Sequence, residues 1–158
     1  MKIISPIKLI VSILATELAG IVGSFFTVSS VDSWYQFLIK PVGNPPSWVF
    51  GPVWTILYAL MGISFYLIWT SKAEKITKQT AMIVFGGQLV LNAFWSIIFF
   101  GARNPFYALI DIVLMWLAII ITMLWFRKIS RPAFLLLVPY IIWVTYAAYL
   151  NLGILMLN

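Results

Sequence analysis

Five apolar runs, each close to the length that crosses a bilayer, leave this chain few folds to choose from. They extend from Leu9 to Val28, Trp48 to Trp69, Thr80 to Phe100, Phe106 to Phe126 and Phe134 to Leu157. A hydrocarbon core of about 30 Å takes about 20 helical residues. Lipid offers no partner to an unpaired backbone group, so the runs must be helices or strands of a closed barrel. Barrel strands are short and alternate between apolar and polar residues. These runs are long and do not alternate. The sequence therefore predicts an all-α membrane protein, a five-helix transmembrane bundle forming a single domain over residues 1–158, with no internal repeat.

Composition supports lipid as the solvent. Only 9% of the 158 residues are charged, against about 25% in soluble domains. The first run follows Lys2 and Lys8, as the apolar core of a secretory leader would. It continues past Glu17 to Val28, longer than a leader needs, and so reads as a span. The net charge of +6 invites a nucleic-acid reading. The basic residues, however, are scattered in short connections, so they read as topology signals and no nucleic acid is expected. Lys2, Lys8, Lys72, Lys75, Lys78, Arg127, Lys128 and Arg131 fall on one side, and only Lys40 and Arg103 on the other. That bias predicts a cytoplasmic N-terminus and an external C-terminus in a bacterial plasma membrane. With no Cys and no His, disulfides, thiol catalysis, the usual zinc sites and His-ligated haem drop out. No metal site is expected, and nothing requires a cofactor.

One connection is long. Ser29 to Ser47 holds Trp34, Tyr35, Lys40, Pro41, Gly43, Pro45 and Pro46. Its prolines stiffen it and its aromatics can anchor at an interface or pack on helices. It reads either as a lid over the bundle or as a plain connector.

Depth estimates place several polar and aromatic residues beneath that loop. At about 1.5 Å per residue, Trp54 lies about 9 Å, Trp95 about 8 Å, Asn92 about 12 Å and Asp111 about 8 Å from the nearest loop-side helix end. On the fifth span Asn151, Ala147 and Trp143 lie about 9, 15 and 21 Å down. Gln88, Asn92 and Trp95 share a helix face, as do Tyr140, Trp143 and Ala147, and Trp54, Tyr58 and Met61. Small Ala147 leaves room among large neighbours. Two readings stand: an aromatic-walled pocket for a flat apolar ligand, or polar residues that merely tie helices together. Glu17 and Asp111 are acids inside spans. Such acids are functional candidates by default, although Arg103 is close enough to pair with Asp111. The small-residue stripe of Ala15, Ala19 and Gly23, beside Thr16, Gly20 and Ser24, marks a close helix contact, internal or between two copies. Pro52 and Pro139 predict kinked or irregular helix starts.

The motifs W-V-F-G-P-V-W-T-I-L-Y-A-L-M-G from Trp48, Q-L-V-L-N-A-F-W-S-I-I-F-F-G-A-R from Gln88, A-L-I-D from Ala108 and P-Y-I-I-W-V-T-Y-A-A-Y-L-N from Pro139 carry a resemblance. The chain resembles the translocator protein family, also known as tryptophan-rich sensory proteins or peripheral-type benzodiazepine receptors. The resemblance implies a five-helix bundle, often a homodimer, with a cavity closed by the first loop. It implies ligands such as protoporphyrin IX, sterols, and isoquinoline or benzodiazepine-type drugs. Trp54, Asn92, Trp143 and Ala147 match pocket positions, Tyr35 a loop contact, and Trp95 the aromatic set. The family loop reads K-P-x-W-x-P-P, whereas here Gly43 stands in place of its tryptophan. The Tyr-basic pair proposed for cholesterol in animal members is absent after Tyr149.

Three functions follow as expectations. The first is a receptor or sensor that binds a porphyrin-type or other flat apolar ligand and modulates tetrapyrrole levels or a stress response. Its ligand-binding set is Tyr35, Trp54, Tyr58, Gln88, Asn92, Trp95, Asp111, Tyr140, Trp143 and Ala147. The second is an enzyme that degrades protoporphyrin IX in light, with Trp54 and Trp143 as the catalytic candidates. The third is a transporter of porphyrin or sterol. It is opposed by the short chain and the lack of an inverted repeat.

Overall fold

The computed structural model describes residues 5–158; Lys2, one of the orientation signals, lies outside them. The described residues form six α-helices: α1 (Pro6–Val31), α2 (Phe50–Trp69), α3 (Lys75–Ser96), α4 (Pro105–Ile129), α5 (Arg131–Leu136) and α6 (Val138–Leu157). Five stretches of 23 to 27 residues are long and apolar enough to cross a membrane, the last formed by α5 and α6 together. At 1.5 Å per residue they measure about 35–40 Å, sufficient for the core and part of both interfaces.

The irregularities have local causes. Pro139 has no N–H to continue a helix from the preceding turn. The chain therefore breaks at Leu137 between α5 and α6, and Leu137 N–H bonds instead to the Phe134 carbonyl at 3.1 Å. Pro52 sits in the first turn of α2, after a single 3₁₀ turn at Ser47–Val49, where a missing N–H costs little. The third span ends in a π-helical turn, Ile97–Gly101. Gly101 is needed there, because a Cβ on it would lie 2.8 Å from the Phe26 ring of α1.

α1 packs along α2 and α3, α3 along α4, and α4 along α6, while α2 and α6 meet over only a short stretch. The two ends of the bundle are best named by their connections: the loop end, holding residues 32–46, and the basic end, holding residues 70–74 and 130. Toward the basic end the core is solid. Phe85 stacks on Phe126 with centroids 5.7 Å apart, and Ile68, Ile119, Phe126 and Leu137 are essentially inaccessible.

Thr16, Gly20 and Gly23 of the small-residue stripe on α1 pack inside the bundle, whereas Ala15 and Ser24 are exposed. A Cβ on Gly62 of α2 would stand 2.6 Å from the Ile13 Cα, and one on Gly20 of α1 would stand 2.3 Å from the Tyr58 ring. A Cβ on Gly23 would stand 2.9 Å from Ser96 Oγ of α3. The Thr16 hydroxyl donates to the Tyr58 carbonyl at 2.8 Å, which ties the two backbones.

Candidate functional site

Above the α1–α2 seam the helices part around a half-open cavity of about 580 Å³ at the loop end. One wall is a stripe of α1: Glu17, Gly20, Ser24, Thr27 and Val31. Their alternating spacings of three and four residues put them on one helix face. The facing wall is Gly51, Trp54, Thr55 and Tyr58 of α2. Trp95, Phe99 and Phe100 close the back from the third span, and Ala147, Leu150 and Asn151 from α6. Tyr35 and Trp48 border it from the loop.

The aromatic wall is fixed by mutual packing. Trp54 stacks on Tyr58 at 5.5 Å and 28°, and Trp95 on Phe99 at 5.1 Å and 20°. Trp95 also donates its indole N–H to Asn151 Oδ1 at 3.1 Å, and Asn151 Nδ2 donates to the Pro105 carbonyl at 2.8 Å. The π turn sets Phe99 and Phe100 toward Tyr35, 6.3 and 5.6 Å from its ring. A stretch reading I-I-F-F-G gives no period-3.6 cue to that placement, so sequence reasoning misses Phe99 and Phe100 as site residues.

Five of the residues expected at a ligand site border this cavity: Tyr35, Trp54, Tyr58, Trp95 and Ala147. Three others form the layer behind it. The Tyr58 hydroxyl donates to Asn92 Oδ1, Asn92 Nδ2 donates to the Tyr140 hydroxyl at 3.0 Å, and that hydroxyl donates to Gln88 Oε1 at 2.8 Å. This chain ties α2, α3 and α6 where their backbones pack least. Both readings of the polar residues therefore describe part of the molecule: the aromatics border a hollow, and the amides tie helices beneath it.

Two expected residues lie apart from both groups. Trp143 packs edge-on against Phe50 at 6.1 Å and near Tyr146, and its buried Nε1 has no hydrogen-bond partner. Asp111 borders a shallow depression shared by Ile98, Ala102, Asn104, Tyr107, Ile110 and Leu114. Its Oδ2 has no hydrogen-bond partner, and Arg103, held at φ 51°, is exposed. Among the described residues no cluster of three or more His, Cys, Asp or Glu side chains is placed to hold a metal ion.

The first loop is strapped to α6. Gly43, at φ +86°, occupies the third position of a turn closed by Asn44 N–H to the Pro41 carbonyl at 3.2 Å. That conformation favours glycine over any larger residue, which accounts physically for the residue found at this position. The turn carbonyls are held by two tyrosines, Tyr149 to Val42 at 2.9 Å and Tyr146 to Gly43. Gly153 admits Pro41, whose Cβ would stand 2.6 Å from any added methyl. Tyr35 is buried and donates to Asn44 Oδ1 at 2.8 Å. Burial pushes its phenol above the usual range despite that bond, with Tyr146 adding to the rise, so it remains a neutral donor near pH 7.

The pattern of the TspO/MBR family matches residues 12–157. The chain is 46% identical to the tryptophan-rich protein TspO of Chlorobaculum tepidum over 139 residues, covering 88% of each. It is 44% identical to that of Archaeoglobus fulgidus over 152 residues, covering 96% of this chain and 97% of the relative. It is 40% identical to the human translocator protein over 139 residues, covering 87% and 82%.

Proposed function

The chain belongs to the TspO/MBR family of multi-pass membrane proteins, and on that premise we propose that it is a receptor for a flat, largely apolar ligand of porphyrin size, held between α1 and α2 at the loop end. The reading rests on one observation: a cavity of about 580 Å³ walled by Trp54, Tyr58, Trp95 and Phe99. Volumes of roughly 300–1,000 Å³ with mostly apolar walls and a few placed polar groups are typical of small-molecule sites. Offset stacking on the Trp54 and Trp95 indoles favours a planar ring. Tetrapyrrole sensing is the role that best uses such a wall, and sterol or drug-like ring systems are the alternatives the same wall admits.

The ligand-binding residues in this reading are Tyr35, Trp54, Tyr58, Trp95 and Ala147, with Phe99 and Phe100 added. Gln88, Asn92 and Tyr140 support the floor. The basic end faces the cytoplasm, so the cavity lies toward the outer leaflet.

Titration of protoporphyrin IX dimethyl ester into protein in lipid nanodiscs tests this. The expected result is saturable tryptophan quenching that empty nanodiscs do not give, weakened at least tenfold by Trp54→Ala. Quenching no greater than that of empty nanodiscs, or unchanged in the variant, would remove the proposal.

A further inference from the structure

The shallow depression between the π turn and α4 shares no lining residue with the cavity. Asp111 borders it and is only 7% exposed, and its Oδ2 has no hydrogen-bond partner. A carboxylate inside a span is costly to keep, and such residues normally find a partner. Breaking a buried pair is costly for the same reason, because a lone charge is left behind. Among the described lining residues of the depression there is no lysine or arginine to supply that partner.

The surroundings of Asp111 have the layout of a lipid headgroup and its chains. α4 is 25 residues long, about 37 Å, against a hydrocarbon core of about 30 Å. Asp111 stands about 9 Å below Pro105 at the loop end of α4, and so just beneath the headgroup layer. Tyr107, Asp111 and Leu114 share one face of α4 with Ile110 beside them. Tyr107 is exposed above the acid, at the depth where aromatic rings with a polar tip anchor. Ile110 and Leu114 are exposed at and below its level and form an apolar track with Ile98. Arg103 lies between Ala102 and Asn104, both of which line the depression, and its side chain is exposed. Its φ of 51° is a conformation in which glycine is usual after a helix. An arginine there sets a guanidinium beside the rim, among lipid phosphates.

We infer that this depression seats a phospholipid of the loop-end leaflet with a primary ammonium head, an ethanolamine phospholipid. The ammonium bends into the depression and donates to Asp111 Oδ2, the phosphate meets Arg103, and an acyl chain follows Ile98, Ile110 and Leu114. Charge complementarity selects this occupant: one acid under the rim and one base beside it match a zwitterion in that order. Phosphatidylcholine carries the same net charge, but its trimethylated nitrogen has no N–H to give. A site built around a hydrogen bond rejects the analogue that cannot make it. The inference is independent of what fills the cavity.

Native mass spectrometry of the delipidated protein, offered equimolar phosphatidylethanolamine and phosphatidylcholine with identical acyl chains, tests it. The expected result is one retained lipid per chain, with ethanolamine favoured at least tenfold. Mono- and dimethylated ethanolamine lipids keep an N–H, so the steepest fall comes with the third methyl group. Asp111→Asn brings the preference below twofold. Arg103→Gln lowers uptake of both lipids at least twofold and leaves their ratio unchanged, since both carry the phosphate. Glu74→Gln, which removes an acid at the basic end, changes neither. Equal uptake of the two lipids by the parent, or a preference that survives Asp111→Asn, overturns the inference. A loss of dimer in Asp111→Asn with no change in bound lipid assigns the depression to a second copy of the chain and overturns it as well. Should Asp111→Asn fail to fold, Leu114→Trp decides: the exposed indole fills the apolar track and lowers ethanolamine-lipid uptake at least threefold, and unchanged uptake contradicts the assignment.

Discussion

Two glycines on α2 face opposite circumstances. Gly62 abuts the Ile13 backbone so closely that a methyl group would lie 2.6 Å from its Cα, whereas a Cβ on Gly51 meets nothing within 4 Å. The two residues lie on the same helix and belong to the same seam with α1. Toward the basic end the seam is shut by glycine-to-backbone contact and by the Thr16 hydroxyl on the Tyr58 carbonyl. Toward the loop end it opens and aromatic rings border the gap. Membrane helices gain little from hydrophobic association, so close packing and interhelical hydrogen bonds must hold them. Along the α1–α2 seam those devices lie toward the basic end, and the loop-end half of that seam is left open.

The sharpest way to break this contrast is Gly62→Leu. Forcing a side chain into the Ile13 backbone should cost about 3 kcal/mol or more, at the upper end of overpacking, and lower the unfolding midpoint followed by circular dichroism in detergent. If the variant melts with the parent, the closed half is not what holds the seam. Tyr140→Phe probes the tie beneath the cavity. It strips Gln88 Oε1 and Asn92 Nδ2 of their partner, and buried groups left unpaired cost about 1–3 kcal/mol. The substitution removes only the hydroxyl and leaves the aromatic wall standing, so stability should fall more than ligand affinity. An equal fall in both would merge the floor with the site. Gly51→Ala is the smallest expected change. Its methyl enters open space and better helix propensity offers a few tenths of a kcal/mol, so the same melt should shift little, and upward. A large loss there would mean the open half is packed after all.

Much of this is legible in the sequence. Length and unbroken apolarity dictate the five spans, because lipid tolerates so few alternatives. Depth counting brings Trp54, Trp95 and Asn151 to one level, with Ala147 one turn deeper, since rise per residue is nearly constant in a helix. Counting depth, however, says nothing of azimuth relative to a neighbouring helix. Trp143 shares a face with Ala147, yet the structure turns it to Phe50 and Tyr146. Asn92 and Gln88 face the interior, as amides in lipid must, but there they meet tyrosine hydroxyls behind the cavity wall. Phe99 and Phe100 reach the cavity through a π turn, whose extra residue per turn shifts every later side chain off the α-helical face. The loop's Gly43 is visible as a departure from the family pattern. Its turn conformation and the tyrosine straps from α6 are not, because they depend on contacts more than a hundred residues away in sequence.

The account turns on the hollow beside Ala147 being open and ligand-filled rather than packed shut. The chain has no cysteine, so a single one placed at position 147 reports cleanly. Ala147→Cys should react with N-ethylmaleimide in nanodiscs and be protected by saturating protoporphyrin IX dimethyl ester, while Val144→Cys, fully buried less than one turn away and outside the lining, should stay inert. Equal reactivity at the two positions, or labelling at 147 that the ester does not slow, would contradict the account.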